Sequence, residues 1–109
     1  MHTYDFFMNG YGGADRSNDQ KKDESGSALV RLKSISTSAA PGLELTMRVR
    51  LSKNDAKATV PMDFAKYESG GRYLNYYSGY GGTDKNYYLK MQTNKDASQC
   101  AWVDGTWRP

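Results

Sequence analysis

From Leu43 to Leu51 every odd position is apolar and every even position polar or charged. Leu43, Leu45, Met47, Val49 and Leu51 alternate with Glu44, Thr46, Arg48 and Arg50. A period of two belongs to a β-strand with one face buried. Wound as a helix, the same apolar residues would scatter around the whole cylinder and leave no polar face for water. Residues Ala28 to Ile35 behave alike, with Val30 and Leu32 facing one way and Arg31 and Lys33 the other. Pro41-Gly42 between these segments is a turn signal, so the two are expected to pair as a hairpin with a long loop. A third strand follows the polar turn Ser52-Lys53-Asn54-Asp55: Ala58, Val60, Met62 and Phe64 alternate with Thr59, Pro61 and Asp63. Pro61 lacks a backbone donor, which places this strand at a sheet edge or a bulge.

Thr3 to Met8, Arg72 to Tyr77, Asn86 to Thr93 and Gln99 to Trp107 continue the pattern, separated by turns rich in Gly, Asn, Asp and Ser. The total is about seven strands, and the fold class expected is all-β: an antiparallel β-sandwich in a single domain, with a small barrel as the related alternative. Its core would draw on Val30, Leu32, Leu43, Leu45, Met47, Val49, Val60, Met62, Phe64, Leu89 and Met91, with Trp102 or Trp107 plugging one end. Asp15 to Gly26 crowds charges of both signs without apolar partners and reads as an exposed polar loop.

Composition narrows the chemistry. The 109 residues suffice for one domain, and no apolar run approaches the length of a membrane span. Cys100 is the only cysteine and His2 the only histidine. No intrachain disulfide can form, and neither a zinc site nor a histidine-activated nucleophile has its ligands or its base. His2 is expected on a mobile terminus, and Cys100 is expected to act as a small core filler. No metal or cofactor is implied. Carboxylates are the remaining catalytic kit, with Asp63, Glu68, Asp84 or Asp104 as candidates, but none sits in a motif, and no catalytic residue is assigned.

Two features suggest binding. The segment Tyr4 to Arg16 is echoed by Tyr73 to Lys85, each an aromatic strand running into Gly-Tyr-Gly-Gly, then one residue, Asp and a base; either one turn geometry occurs twice or the copies form a paired ligand site. Tyr67, Tyr73, Tyr76, Tyr77, Tyr80, Tyr87 and Tyr88 are too many rings for strand alternation to bury together. Tyr11, Tyr76, Tyr80 and Tyr88 are the candidate ligand-binding residues, since an exposed phenol offers a flat apolar face with a hydroxyl at its rim; the alternative is that the rings brace cross-strand neighbours. Arg31, Lys33, Arg48 and Arg50 would form one basic face if their strands are neighbours. With a formal charge of only +3 (15 basic against 12 acidic side chains), nucleic acid is not the expected partner.

Lys21-Lys22-Asp23-Glu24-Ser25-Gly26-Ser27-Ala28-Leu29-Val30, the Gly-Tyr-Gly-Gly turn, Asn86-Tyr87-Tyr88-Leu89 and the ending Val103-Asp104-Gly105-Thr106-Trp107-Arg108-Pro109 resemble a family of small secreted proteins of Gram-positive bacteria, domains of unknown function of the DUF2712 type. The resemblance implies a β-rich domain exported behind a signal peptide that is since removed, and supplies no catalytic residue or ligand. The function expected is a secreted, non-enzymatic binding domain for a glycan, a cell-wall component or a protein, through exposed tyrosines. The alternatives are an envelope-active, bacteriocin-like effector using the basic face, a carboxylate-based glycan hydrolase, and a single-stranded nucleic-acid binder.

Overall fold

A computed structural model describes residues 1–37, 44–64, 71–96, 98 and 100–109. Among the described residues there are nine strands: β1 (His2–Met8), β2 (Ala14–Arg16), β3 (Gln20–Lys21), β4 (Ala28–Thr37), β5 (Leu45–Leu51), β6 (Met62–Phe64), β7 (Gly71–Leu74), β8 (Asn86–Thr93) and β9 (Ala101–Arg108). They form two antiparallel sheets. The first has the order β1-β9-β4-β7, and the second β2-β8-β5-β6 with β3 also paired to β8. Among the described residues there is no helix, and so none long and apolar enough to cross a membrane.

Alternation builds the core. Tyr4, Phe6 and Met8 of β1, Val30 and Leu32 of β4, and Val103 and Trp107 of β9 face Leu45, Met47 and Val49 of β5 and Tyr87, Leu89 and Met91 of β8. The plug is Trp107, at 0% exposure, whereas Trp102 is 55% exposed. The two stand five positions apart on one strand, so a period of two must point them to opposite faces. Of the remaining expected core, Val60 and Met62 are only half-buried, and Leu43 and the side chain of Phe64 lie outside the described residues; so do Tyr67 of the tyrosine cluster, the candidate carboxylate Glu68 and the Pro41-Gly42 turn.

Topology corrects the hairpin. β4 pairs with β7 and β9, β5 with β6 and β8, so these consecutive strands belong to different sheets. Alternation fixes which face of a strand is buried but not which neighbour it pairs with, and both strands satisfy it equally well in opposed sheets. The strand expected over 58–64 shortens to β6 at the edge of the second sheet, with exposed Pro61 just before it. Residues Lys57 and Thr59 instead make isolated bridges to Arg50 and Tyr76.

The segment 15–26 is not a simple exposed loop. β2 and β3 both pair with β8, and Ser17 between them exchanges two hydrogen bonds with Leu89: its amide donates to the Leu89 carbonyl (2.9 Å) and its hydroxyl accepts from the Leu89 amide (2.9 Å). Lys22 is 1% exposed. Its ammonium donates to the carbonyls of Gly26 (2.9 Å) and Pro109 (3.0 Å) and lies 4.8 Å from the centre of the Tyr76 ring. Burial, and then the nearby Arg108 guanidinium, hold its pKa below the usual lysine value, with Glu24 pulling the other way. Two hydrogen bonds and an aromatic face are what let an ammonium be buried at all.

Two single residues also depart from expectation. His2 is ordered into β1 opposite Trp107, with ring centroids 6.4 Å apart. Cys100 is exposed just before β9, its thiol 3.9 Å from the Asn9 side-chain oxygen, because the buried positions of that strand begin at Ala101.

Candidate functional site

The sequence-selected tyrosines do not converge. Tyr11 is 71% exposed in the turn between β1 and β2, and Tyr80 is exposed in the turn before β8. The Tyr11 turn is tied to the C-terminal end of β8, where Thr93 donates its amide to Gly13. The Tyr80 turn is tied to the N-terminal end, where the Tyr87 hydroxyl accepts from the Gly81 amide at 3.0 Å. Six residues of strand separate those ends, or about 20 Å. The two Gly-Tyr-Gly-Gly turns also differ in geometry. In the first, Tyr11 and Gly12 take positive φ (55° and 81°); in the second, Gly79 and Gly81 do (86° each). The echo is one of sequence rather than of shape.

The other two tyrosines are covered. Tyr76 is half-buried, with its ring edge-on to Tyr87 at 5.3 Å, and burial followed by the Tyr87 phenol raises its pKa above the ordinary tyrosine range. Tyr88 is only 4% exposed. Alternation does point it outward from β8, but the Arg16 guanidinium of β2 lies 3.6 Å over its ring and its hydroxyl donates to Asp55 at 2.9 Å. Burial, then the hydrogen bond to Asp55, raise its pKa.

The basic face is split in the same way. Arg31 and Lys33 sit on β4 in the first sheet and Arg48 and Arg50 on β5 in the second, so the four cannot serve one surface. On the second sheet, however, Arg48 and Arg50 find other company. Arg48 stands directly opposite Lys90, Lys90 directly opposite Arg16, and Arg50 opposite Lys57. Arg48, Arg50, Lys57, Lys90, Gln92 and Pro61 line a shallow groove of about 310 Å³. The Nε atoms of Arg48 and Arg50 are shielded from water and have no acceptor among the described residues.

The first sheet carries a different outer surface, which the sequence reading missed. Phe7 of β1 and Trp102 of β9 are directly opposite each other, both exposed, with ring centroids 4.5 Å apart and planes inclined by 46°. One step along the same strands, Asp5 stands opposite Asp104. The hydroxyl of Ser34 donates to Asp104, and the amide of Phe7 donates to Asp15 at 3.1 Å. The odd spacing between Trp102 and Trp107 was the available signal for this patch, since it allows only one of them into the core.

The carboxylates chosen from sequence are dispersed. Asp63 accepts from Thr46 on the second sheet (2.7 Å), Asp84 pairs with Lys21 in a turn (3.3 Å), and Asp104 is on the first sheet. Asp5 and Asp104 are adjacent, yet they stand side by side on one sheet face rather than across a cleft, so the two-sided geometry of glycoside hydrolysis is not built from them. Compared with known proteins, the chain matches no family model, no curated sequence and no solved structure.

Proposed function

We propose that this chain is a non-enzymatic binding module, working outside the cell, that holds a surface glycan on the outer face of its first sheet. The observation that carries this reading is the exposed Phe7–Trp102 pair, two large apolar rings side by side in a sheet face, where neither contributes to the core. A pyranose ring presents an apolar C–H face that stacks on such rings and hydroxyls that need acceptors around its rim. Asp5 and Asp104, acceptors only when ionised, supply those one step along the strands. Export is supported by the resemblance to small secreted bacterial domains. Tyrosine-led recognition gives way to this pair because Tyr11 and Tyr80 sit at opposite ends of β8 and Tyr88 is covered.

The test uses the intrinsic fluorescence of the full chain. Trp107 is sealed in the core, so a change on adding soluble cell-wall polysaccharide reports on Trp102. Saturable quenching or enhancement is expected, lost in Trp102→Ala and retained in Tyr11→Ala and Tyr80→Ala. Binding that survives Trp102→Ala and disappears with Tyr80→Ala would refute the assignment.

A further inference from the structure

The outer face of the second sheet carries an arrangement that folding alone does not favour. Arg16, Lys90 and Arg48 are set directly opposite one another across three adjacent strands, and Arg50 faces Lys57. Neighbouring strands lie about 5 Å apart, inside the physiological screening length of about 8 Å, so these charges feel one another. Like charges directly opposite destabilise a sheet. Neutralisation is incomplete: five cations share the face with four carboxylates, of which exposed Glu44 stands at the far end of the β5 row, about 13 Å along the strand from Arg48, and the other three are already engaged. Asp19 pairs with Arg16 at 2.5 Å, Asp55 accepts from Tyr88, and Asp63 accepts from Thr46. The side chains of Arg48, Lys57 and Lys90 have no hydrogen bond or ion pair among the described residues, Arg50 donates from Nη1 to the Asp55 carbonyl (2.8 Å), and the Nε atoms of Arg48 and Arg50 are shielded without acceptors.

Such a surface is complementary to a chain of closely spaced anions. Which chain is decided by what the face lacks. Single-stranded nucleic acids are held by a basic track together with aromatic platforms for the bases. Among the described residues Tyr88 is the aromatic side chain within this patch, and it is occupied by the Arg16 guanidinium and sealed from solvent. We propose that this face binds a linear polyol-phosphate polymer, a phosphodiester chain without bases, whose successive phosphates are neutralised by Arg48, Arg50, Lys57 and Lys90. This site lies on the sheet opposite the Phe7–Trp102 patch and does not depend on the glycan reading.

The test titrates the full chain with poly(glycerol phosphate) at two salt concentrations. Four phosphate contacts with the single-strand slope of about −0.7 per contact predict about a 50-fold loss of affinity between 50 and 200 mM salt. Arg48→Glu with Arg50→Glu is expected to weaken binding at least tenfold. Arg31→Glu with Lys33→Glu, the same charge change on the other sheet, is expected to leave it within about twofold, as is Trp102→Ala. Lys90→Gln, a milder change, should weaken binding severalfold and keeps the test open if the double reversal fails to fold. Equal or weaker binding of an oligothymidylate of matched charge agrees with a backbone-only site. Absent or salt-independent binding, equal losses from the two double reversals, no effect of Lys90→Gln, or oligothymidylate bound more than tenfold tighter would each overturn the proposal.

Discussion

Gly105→Ala tests how closely the first sheet is drawn together. Gly105 lies in β9 with Tyr4 of β1 on one side and Leu32 of β4 on the other, beside the irregularity where the register slips between Leu32 and Ser34. A Cβ there would stand 1.9 Å from the Arg31 carbonyl oxygen and 2.6 Å from the Tyr4 hydroxyl. The first is backbone and cannot swing aside. The Tyr4 hydroxyl itself donates to that carbonyl at 2.8 Å, closing the space over the glycine. Overpacking of this kind costs about 1–3 kcal/mol, and breaking the Tyr4 hydrogen bond adds about 1 kcal/mol. The expected loss is therefore about 2–4 kcal/mol, which at about 4–8 °C per kcal/mol lowers the melting temperature by roughly 8–32 °C. Urea and thermal unfolding followed by circular dichroism measure it. Tyr4→Phe alone should cost about 1 kcal/mol, and the double variant should cost less than the sum, because the shared hydrogen bond is lost only once. A Gly105→Ala variant within about 0.5 kcal/mol of the parent would show that the sheet relaxes freely and that this reasoning is wrong.

Three further outcomes follow from the geometry. Lys22→Met keeps the apolar stem but orphans the carbonyls of Gly26 and Pro109, and should lower stability by about 2 kcal/mol in urea unfolding; an unchanged midpoint would mean the clamp is idle. Lys90→Glu converts two like-charge rungs into attractive ones and should stabilise the fold by about 0.5–1 kcal/mol, whereas destabilisation would contradict the repulsion inferred between Arg16, Lys90 and Arg48. Burial raises the pKa of Tyr4, and of Tyr76, above the ordinary value of about 10, so the unfolded chain releases these protons first. The stability they protect is complete below about pH 10 and lost as pH rises through the folded values. Phenolate absorbance from Tyr4 and Tyr76, read as the difference between the parent and the Tyr4→Phe and Tyr76→Phe variants, should appear only together with unfolding, and its appearance while the fold is intact would count against their burial.

Much of the fold was legible because burial on one face writes a period of two. β4, β5 and β8 all carry it, and the core residues named on them, Val30 and Leu32, Leu45, Met47 and Val49, and Leu89 and Met91, are buried; on β9 the pattern leaves the choice between Trp102 and Trp107 open and Val103 unnamed. The unread parts have no such signature. β2 and β3 are held by backbone ladders to β8 and by the polar Ser17–Leu89 exchange, which leaves no apolar rhythm in 15–26. Lys22 is buried by the hydrogen bonds it makes to Gly26 and Pro109, the second 87 residues distant, and a charged residue in a charged stretch gives no hint of that. Strand partners were misjudged at β4 and β5 because alternation is blind to topology. The candidate site suffered from the same blindness. Tyr88, expected to be exposed, is buried: alternation turns it outward, but whether a neighbouring strand covers that position depends on β2, and the cations that join Arg48 and Arg50 come from β2, β8 and the 57–60 segment rather than from β4. Trp102 alone could have been recovered, from its odd separation from Trp107.

The ligand proposed for the outer face of the first sheet is a glycan, held through Phe7 and Trp102. The most direct measurement is an amide nitrogen–proton correlation spectrum of the labelled full chain recorded while soluble cell-wall polysaccharide is added. Shifts clustered at residues 5–7, 34 and 102–104 are expected, with the Trp102 indole resonance moving and that of Trp107 fixed. Shifts confined to the Tyr11 and Tyr80 turns, or a spectrum that does not change at saturating polysaccharide, would contradict the glycan proposal.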